Sequence, residues 1–181
     1  MPHGIRRDGV WLAVTAWSLR HWGFLGHWAL VIGHFTIMTL EKLISNFELL
    51  GDWEERYGYL IDLGKKLPGL SDAEKSEDNR VHGCQAMVWL VMEPDPERAG
   101  ALRIRADSDA FIVRGLIAVL QLIFNGRTPD EILKADAKSV LGKLGLDNHL
   151  SPTRKNGLFA MVERIRTLAL TKAQLGNVPT N

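Results

Sequence analysis

The sequence predicts a single α+β domain, in which a short antiparallel three-stranded sheet packs with helices from both ends of the chain. Apolar residues recur at helical spacing before residue 68, then alternate as in strands between residues 87 and 105. Helical spacing returns after residue 107 and continues to about residue 172. Helices, then a hairpin, then helices again is an order typical of the α+β class.

Two helices are predicted before the sheet. Thr39 is a suitable N-cap for the first helix, and Asp52 with Glu55 forms a capping-box pattern at the start of the second. Pro68 ends the second helix because proline cannot continue it. The apolar faces are Leu40, Leu43, Ile44, Phe47 and Leu50 in the first helix, and Trp53, Tyr57, Leu60 and Ile61 in the second.

The predicted sheet lies between residues 79 and 106. Residues 87–92 are apolar on both faces, which indicates a strand covered on both sides. The segment "EPDPERAG" reads as a hairpin loop, and "ALRIRA" follows with Arg103 and Arg105 on a solvated face. Residues 79–82 are the candidate for a third strand.

Helices are predicted for the rest of the chain. "DSDAFIVRGLIAVLQLIFNG" is apolar nearly all round, so we expect it to be the most buried helix, capped by Ser108 or Asp109. "TPDE" at 128–131 is a capping box, a short helix is expected over 137–144, and Ser151-Pro152 opens the last long helix. We expect residues 177–181 to form a frayed tail.

Composition excludes several classes of function. The net charge of the 181 residues is +1, which gives no electrostatic case for binding nucleic acid. A single cysteine, Cys84, cannot form an internal disulfide, and it excludes a multi-cysteine zinc site or an iron–sulfur cluster held by this chain alone. A reducing compartment, the cytoplasm, is the simplest location for such a chain.

Residues 1–37 differ from the remainder of the sequence. They contain four of the six Trp and four of the six His, and Arg20 and three His interrupt their apolar run. A charge in mid-span disfavours a membrane-spanning helix, so no membrane insertion is expected. We interpret these residues as a non-core extension or a start-site artefact; a targeting or membrane-surface segment is the alternative. The domain then covers residues 38–176.

Cys84 lies where a charged loop leads into the apolar strand, directly after Gly83. One interpretation is a small buried hydrophobic residue, which is the common role of a free cysteine. The other is a nucleophile or sulfur carrier, since loops at strand ends present side chains. On a strand, His82 would share a face with Cys84 and could favour its thiolate.

Little catalytic machinery accompanies the thiol. The sequence has no glycine-rich phosphate loop, no HExxH and no GxSxG. Besides His82, only His149 among the histidines after residue 37 could serve as a base, and its distance from Cys84 cannot be read from the sequence. One reactive group with few helpers is more typical of a carrier than of a self-sufficient enzyme.

Three ordered motifs make residues 39–172 resemble the SufE family of sulfur-acceptor proteins. "NRVHGCQAMVWLV" resembles the cysteine segment of that family, "DSDAFIVRGLIAVL" its second signature and "LSPTRKNGLFAM" its third. Residues 86 and 87, Ala and Met here, depart from the more polar residues usual in the family. The resemblance implies the SufE/IscU-like fold.

The resemblance also implies a function. A partner cysteine desulfurase uses pyridoxal phosphate (PLP) to form a persulfide; the SufE-type thiol takes the outer sulfur and passes it to an iron–sulfur scaffold. Cys84 would be the carrier, with no cofactor or metal bound by this chain. The chain itself is expected to be a monomer or weak dimer.

Six further residues near Cys84 or in the matched motifs are given expected roles. His82, Gly83 and Gln85 would support the loop around Cys84. Asp107, Asp109 and Arg154 would dock the partner or pack against the loop, although both aspartates also suit helix caps. Two rivals stay open: a stand-alone thiol hydrolase or peroxidase using Cys84 with a histidine, and a binding module in which Cys84 is inert.

Overall fold

The computed structural model describes residues 38–176, so the expectations for residues 1–37 and for the tail 177–181 lie outside the described residues. The helices and strands in this range are α1 (Leu40–Leu49), α2 (Trp53–Lys66), β1 (Val88–Pro94), β2 (Leu102–Ser108), α3 (Phe111–Phe124), α4 (Pro129–Lys134), α5 (Ala137–Lys143), α6 (Leu146–His149) and α7 (Pro152–Gly176). A 3₁₀ helix at Glu77–Asn79 precedes the sheet. The predicted α+β class is confirmed.

The predicted caps of the first two helices are confirmed. The Thr39 hydroxyl accepts a hydrogen bond from the amide of Lys42, and an Asp52 carboxylate oxygen accepts one from the amide of Glu55. Each side chain therefore satisfies an amide that has no partner within the helix.

The sheet of the described residues has two strands, so the prediction of three was wrong. β1 pairs antiparallel with β2 in the register Val88↔Ser108 to Pro94↔Leu102. Residues 79–82 contribute only one bridge, Arg80 to Trp89, with the Val81 amide donating to the carbonyl of Val88 at 2.9 Å. The 3₁₀ helix includes Asn79 and a turn begins at His82, so too few extended residues remain for a strand.

Side chains of α3 and of its C-cap residue form hydrogen bonds with backbone groups on the outer edge of β2. The backbone amide of Ile104 donates to the side-chain oxygen of Asn125 at 2.8 Å. The side-chain amide of Gln121 donates to the backbone carbonyl of Ile104 at 3.1 Å. These contacts replace the backbone hydrogen bonds that a further strand would provide.

α3 lies at the centre of the core, as its all-round apolar sequence predicts. Eight of its residues are buried, and α2 crosses it at a pair of glycines. A Cβ on Gly115 would lie 2.2 Å from the carbonyl oxygen of Leu60, and one on Gly64 would lie 2.5 Å from that of Phe111. The two backbones therefore meet at a distance that only glycine permits.

The remaining helices are α4 to α7, of which α7 contacts Cys84. Thr128 and Glu131 form the predicted capping box of α4, and α5 occupies most of the predicted 137–144 segment. The single turn α6 was not predicted. α7 packs Leu158, Met161, Val162, Ile165 and Ala169 into the core. Within residues 38–176, no helix combines the length and the apolar character needed to cross a membrane.

Candidate functional site

A short loop, residues 82–87, joins the bridge at Val81 to the start of β1, and we call it the cysteine loop. It begins with a turn at His82 and Gly83. Gly83 has a φ of 87°, in the left-handed region that glycine adopts without strain. This turn directs the chain toward α7, and Cys84 follows in a half-buried position.

The thiol of Cys84 rests against the second turn of α7. Its Sγ lies 3.5 Å from the carbonyl oxygen of Gly157, to which the S–H group donates. A Cβ on Gly157 would lie 3.2 Å from this sulfur and 3.5 Å from the Cα of Cys84. Because Gly157 has no side chain, the cysteine can pack directly against the backbone of α7 at this position, which we call the resting place of the thiol.

Burial raises the pKa of the Cys84 thiol above its ordinary value. A partly apolar environment disfavours the charged form, and the thiolate is the nucleophilic form. Burial against α7 therefore lowers the fraction of reactive thiolate at Cys84. Movement of the loop into water would restore both access and the ordinary fraction of thiolate.

A cavity of about 360 Å³ adjoins the thiol. It lies between the cysteine loop, the start of α3 and the first turns of α7. Its apolar wall comes from both helices, and its polar groups include Gln85, Asp109, Thr153 and Arg154. The complete lining is Cys84, Gln85, Ala86, Asp109, Ala110, Ile112, Val113, Leu116, Thr153, Arg154, Gly157, Leu158 and Met161.

Asp109 holds the far end of the cysteine loop. One of its carboxylate oxygens accepts a hydrogen bond of 2.9 Å from the amide of Met87, and its own amide donates to the carbonyl of Met87 at 3.3 Å. The expectation that Ser108 or Asp109 caps α3 was wrong, because β2 extends to Ser108 and the N-cap is Ala110. Asp109 is instead free to bind the loop.

Asp107 has a different environment, although it is only two residues away. It is 3 % exposed and lies outside the cavity lining. Its carboxylate accepts hydrogen bonds from Arg114 at 2.8 Å and Lys75 at 3.0 Å, and from the amides of Leu70 and Ser108. Asp107 is therefore not a helix cap but a buried hub that joins β2, α3 and the segment before the cysteine loop.

Charge and hydrogen bonding compete at this hub. Burial opposes the ionisation of Asp107, but the hydrogen bonds from Lys75 and the two backbone amides, with the charge of Arg114, outweigh it and lower the pKa of the carboxyl. A lowered pKa in the folded state contributes stability that is present above the unfolded value. That stability is lost as the pH falls through the folded pKa.

We expect the Asp107→Asn variant to be less stable than wild type by about 3 kcal/mol at neutral pH, because two cations lose their buried partner. The difference should shrink as the pH falls below about 4, the ordinary aspartate pKa at which the unfolded chain takes up the proton, and should be lost as the pH falls through the lowered pKa of the folded state. Urea unfolding at several pH values measures it. Asp109→Asn is the control, since its exposed side chain keeps an oxygen for the Met87 amide. A difference independent of pH would contradict the assignment.

The two histidines in the described residues lie away from the thiol contact. His82 has an exposed side chain, and its Nε2 lies 3.3 Å from a carboxylate oxygen of Glu77. His149 stacks on Trp53, with ring centroids 3.9 Å apart. Because His82 lies in the turn that precedes Cys84 and neither residue is in a strand, the expectation that they share a strand face was wrong.

The cavity brings together four of the residues singled out in the sequence: Cys84, Gln85, Asp109 and Arg154. Gly83 forms the turn before them, while His82 and Asp107 lie outside the lining. Sequence reasoning missed the contact of Gly157 with the thiol, although Gly157 is part of the third motif. It also missed two exposed apolar side chains near the loop, Met87 at 45 % and Phe111 at 56 % exposure.

No group of three or more His, Cys, Asp or Glu residues within residues 38–176 is arranged to hold a metal ion. The site in this part of the chain therefore consists of one thiol, a cavity beside it and a few charged groups at the rim. A thiol in such a site is a group that can form and break a bond to sulfur.

These features define a small α+β protein that stores one thiol on a loop tucked against a helix. The comparisons with known proteins agree. The profile of the SufE family, described as an Fe-S metabolism associated domain, matches residues 41–169, and the chain belongs to this family. The match includes all three motifs, and it confirms the resemblance inferred from the sequence.

A solved structure shares the fold. It is described as the solution structure of a hypothetical protein from Thermus thermophilus, and it is similar to this chain with a TM-score of 0.60 and 22 % identity. The similarity covers 76 % of this chain and 99 % of that one. The arrangement of helices around a short sheet is therefore an established fold.

Proposed function

We propose that this protein is a sulfur acceptor and carrier. It takes persulfide sulfur from a PLP-dependent cysteine desulfurase onto Cys84, stimulates that enzyme and passes the sulfur to an iron–sulfur cluster assembly scaffold. The observation that carries the proposal is the placement of Cys84, half-buried on a short loop beside a cavity. Membership of a family associated with Fe-S metabolism supports it.

The transfer is an exchange between a thiolate and a persulfide. The Cys84 thiolate attacks the outer sulfur of the desulfurase persulfide and forms a new S–S bond, while the donor's own S–S bond breaks. The donor cysteine leaves as a thiolate, and Cys84 now carries the persulfide. No external oxidant or reductant is needed, because the sulfur atom moves without a net change of electrons.

The cysteine loop must open before this exchange can occur. At rest, burial disfavours the thiolate form of Cys84, and the S–H group faces the carbonyl of Gly157. Attack on a partner's sulfur requires close contact of the two sulfur atoms, and α7 occupies one side of Cys84. Docking of the desulfurase would therefore favour the open loop, and the resting position would slow oxidation of the free thiol.

The rim around the loop is suited to a protein partner. Met87 and Phe111 are among the large apolar side chains exposed in the described part of the chain, and both lie next to residues that line the cavity. Arg154 also lines the cavity and is exposed, in the first turn of α7. We propose that these three side chains contact the desulfurase, with the apolar pair supplying most of the buried area.

The alternative of a stand-alone thiol enzyme has less support. Such an enzyme needs a base within hydrogen-bond reach of its nucleophile. His82 contacts Glu77 and His149 stacks on Trp53, and the contact recorded for the thiol is to a backbone carbonyl. An inert cysteine in a binding module would be expected in the core, whereas Cys84 is half-buried on a loop.

The remaining parts of the proposal follow from the same mechanism. PLP belongs to the partner desulfurase, and this chain needs neither PLP nor a metal for the exchange. A monomer or weak dimer leaves the rim accessible to two successive partners. The cytoplasm is the proposed location, because a persulfide carrier requires a reducing compartment.

Desulfurase turnover tests this function. We expect alanine production by the cognate desulfurase to rise severalfold when the wild-type protein is added, and to rise equally with His82→Gln. The histidine contributes no proton transfer in the proposed exchange, so its loss is tolerated. Thiol-dependent hydrolysis or peroxide reduction by the protein alone, lost in His82→Gln, would support the enzyme alternative and contradict the proposal.

A further inference from the structure

One face of α7 contacts residues 78–84, which we call the cysteine segment, at several points along its length. Gly157, Ala160 and Arg164 are spaced by three and four residues, so they lie on the same side of the helix. Gly157 contacts Cys84, and Ala160 lies 3.5 Å from where a Cβ of Gly83 would be. Arg164 donates a 2.7 Å hydrogen bond to the carbonyl of Asp78.

The order of these contacts shows how the segment lies on the helix. Going along α7 from Gly157 to Arg164, the contacted residues run backward from Cys84 to Asp78. Seven residues of helix span about 10 Å at 1.5 Å per residue. The contact with Asp78 is thus well separated from the resting place of the thiol, at the other end of the same face.

The segment before the loop is held by strong contacts. Lys75 pairs with the buried Asp107 at 3.0 Å, and Glu74 pairs with Arg105 at 2.6 Å. The side chain of Asn79 donates to the carbonyl of Glu74 at 2.9 Å, and the Val81 amide donates to β1. The cysteine loop, by contrast, contacts α7 through the 3.5 Å hydrogen bond of its thiol, and its far end is held by the hydrogen bonds between Met87 and the exposed Asp109.

We propose that Arg164 is a positioning residue for sulfur transfer, which fixes the hinge of the cysteine loop at residue 82 by holding the carbonyl of Asp78. Only residues 82–87 then leave α7 when Cys84 is presented. This inference rests on the proposed function. Without Arg164, residues 77–81 would loosen with the loop, and the open state would gain conformational entropy that docking must remove.

The guanidinium of Arg164 reaches the carbonyl of Asp78 through one terminal nitrogen. Among the described residues, Nε of Arg164 is buried and lacks a hydrogen-bond partner, whereas its Nη2 atom binds Asp78. One donor therefore carries the contact to the cysteine segment. A lysine has one long chain and a charged donor at its end, so Arg164→Lys should retain the contact in part.

The first test uses amide hydrogen exchange of the free protein. In wild type, the Met87 amide should exchange at least about tenfold faster than that of Val81, because opening of the loop breaks the hydrogen bond from Met87 to Asp109 while the segment before the hinge stays in place. In Arg164→Ala, exchange at Arg80 and Val81 should accelerate toward the rate of Met87. Equal rates for Met87 and Val81 in wild type would overturn the hinge, whichever variants fold.

Arg166→Ala is the matched control. Arg166 is also on α7 and donates to a backbone carbonyl, that of Ala135, at 3.3 Å, away from the cysteine segment. It should leave exchange at Val81 unchanged. Acceleration at Val81 to the same extent in both variants would mean general loosening of α7, and would overturn the specific role of Arg164.

The second test uses desulfurase stimulation. Arg164→Ala should raise the protein concentration for half-maximal stimulation by about three- to tenfold, the effect of one lost charged hydrogen bond, with the maximum unchanged. Arg164→Lys should recover most of the loss. An unchanged half-maximal concentration would overturn the positioning role.

The two tests separate the inference from the proposed function. Hydrogen exchange needs no partner and can therefore locate the hinge in the free protein. If exchange locates the hinge but the wild-type protein does not stimulate the desulfurase, the result contradicts the sulfur-carrier function alone. Normal stimulation by wild type, with Arg164→Ala behaving like Arg166→Ala in both assays, would contradict the role of Arg164 alone.

Discussion

The Gly157→Val variant will react with iodoacetamide at Cys84 at least about tenfold faster than wild type at neutral pH, because its thiol can no longer rest against α7. Even a Cβ at residue 157 would lie 3.2 Å from Sγ, and the two methyl groups of valine need more space. The displaced thiol gains access to water and loses the burial that raises its pKa. Access lets the reagent reach the sulfur, and a lower pKa increases the fraction of thiolate, so both changes raise the labelling rate.

Gly58→Val is the control for this experiment. Gly58 is also inside a helix, α2, but a Cβ there would meet nothing within 4 Å. It should change helix stability by a similar small amount and leave the labelling rate at the wild-type value. Labelling of Gly157→Val at the wild-type rate, with the protein folded, would show that Gly157 does not make the resting place.

The Cys84→Ser variant will lose desulfurase stimulation completely while remaining folded. Serine is similar in size, and the half-buried site tolerates a hydroxyl that still faces the Gly157 carbonyl, so unfolding free energy should change by less than about 1 kcal/mol. A hydroxyl cannot accept persulfide sulfur under these conditions. The turnover of the desulfurase with saturating variant should therefore equal its turnover alone.

A competition experiment strengthens this test. If Cys84→Ser docks normally, an excess of it should reduce the stimulation given by wild-type protein. Retained stimulation by Cys84→Ser would mean that the protein activates the enzyme through docking and not through sulfur acceptance. Loss of folding in circular dichroism would instead indicate a core role for the thiol.

The helices could be predicted from the sequence because their signals are local. Thr39, Asp52 and Thr128 each cap a helix within three residues, and apolar spacing marks the buried faces. The third strand was predicted wrongly because residues 79–82 show no local signal for the 3₁₀ helix that takes in Asn79 or for the turn that begins at His82.

The candidate site was only partly accessible from the sequence. Cys84 could be identified as the one thiol, and its loop from the change of pattern around it. The different environments of Asp107 and Asp109 could not be predicted, because these environments depend on where β2 ends and α3 begins. The resting contact joins residues 73 apart in the chain, so no local pattern encodes it.

The most direct test of the sulfur-carrier function is the intact mass of the protein after incubation with the cognate desulfurase and cysteine. We expect a gain equal to one sulfur atom, removed by dithiothreitol and absent from Cys84→Ser under the same conditions. Unchanged mass of the wild-type protein while the desulfurase itself carries persulfide would contradict the central claim that Cys84 accepts the sulfur.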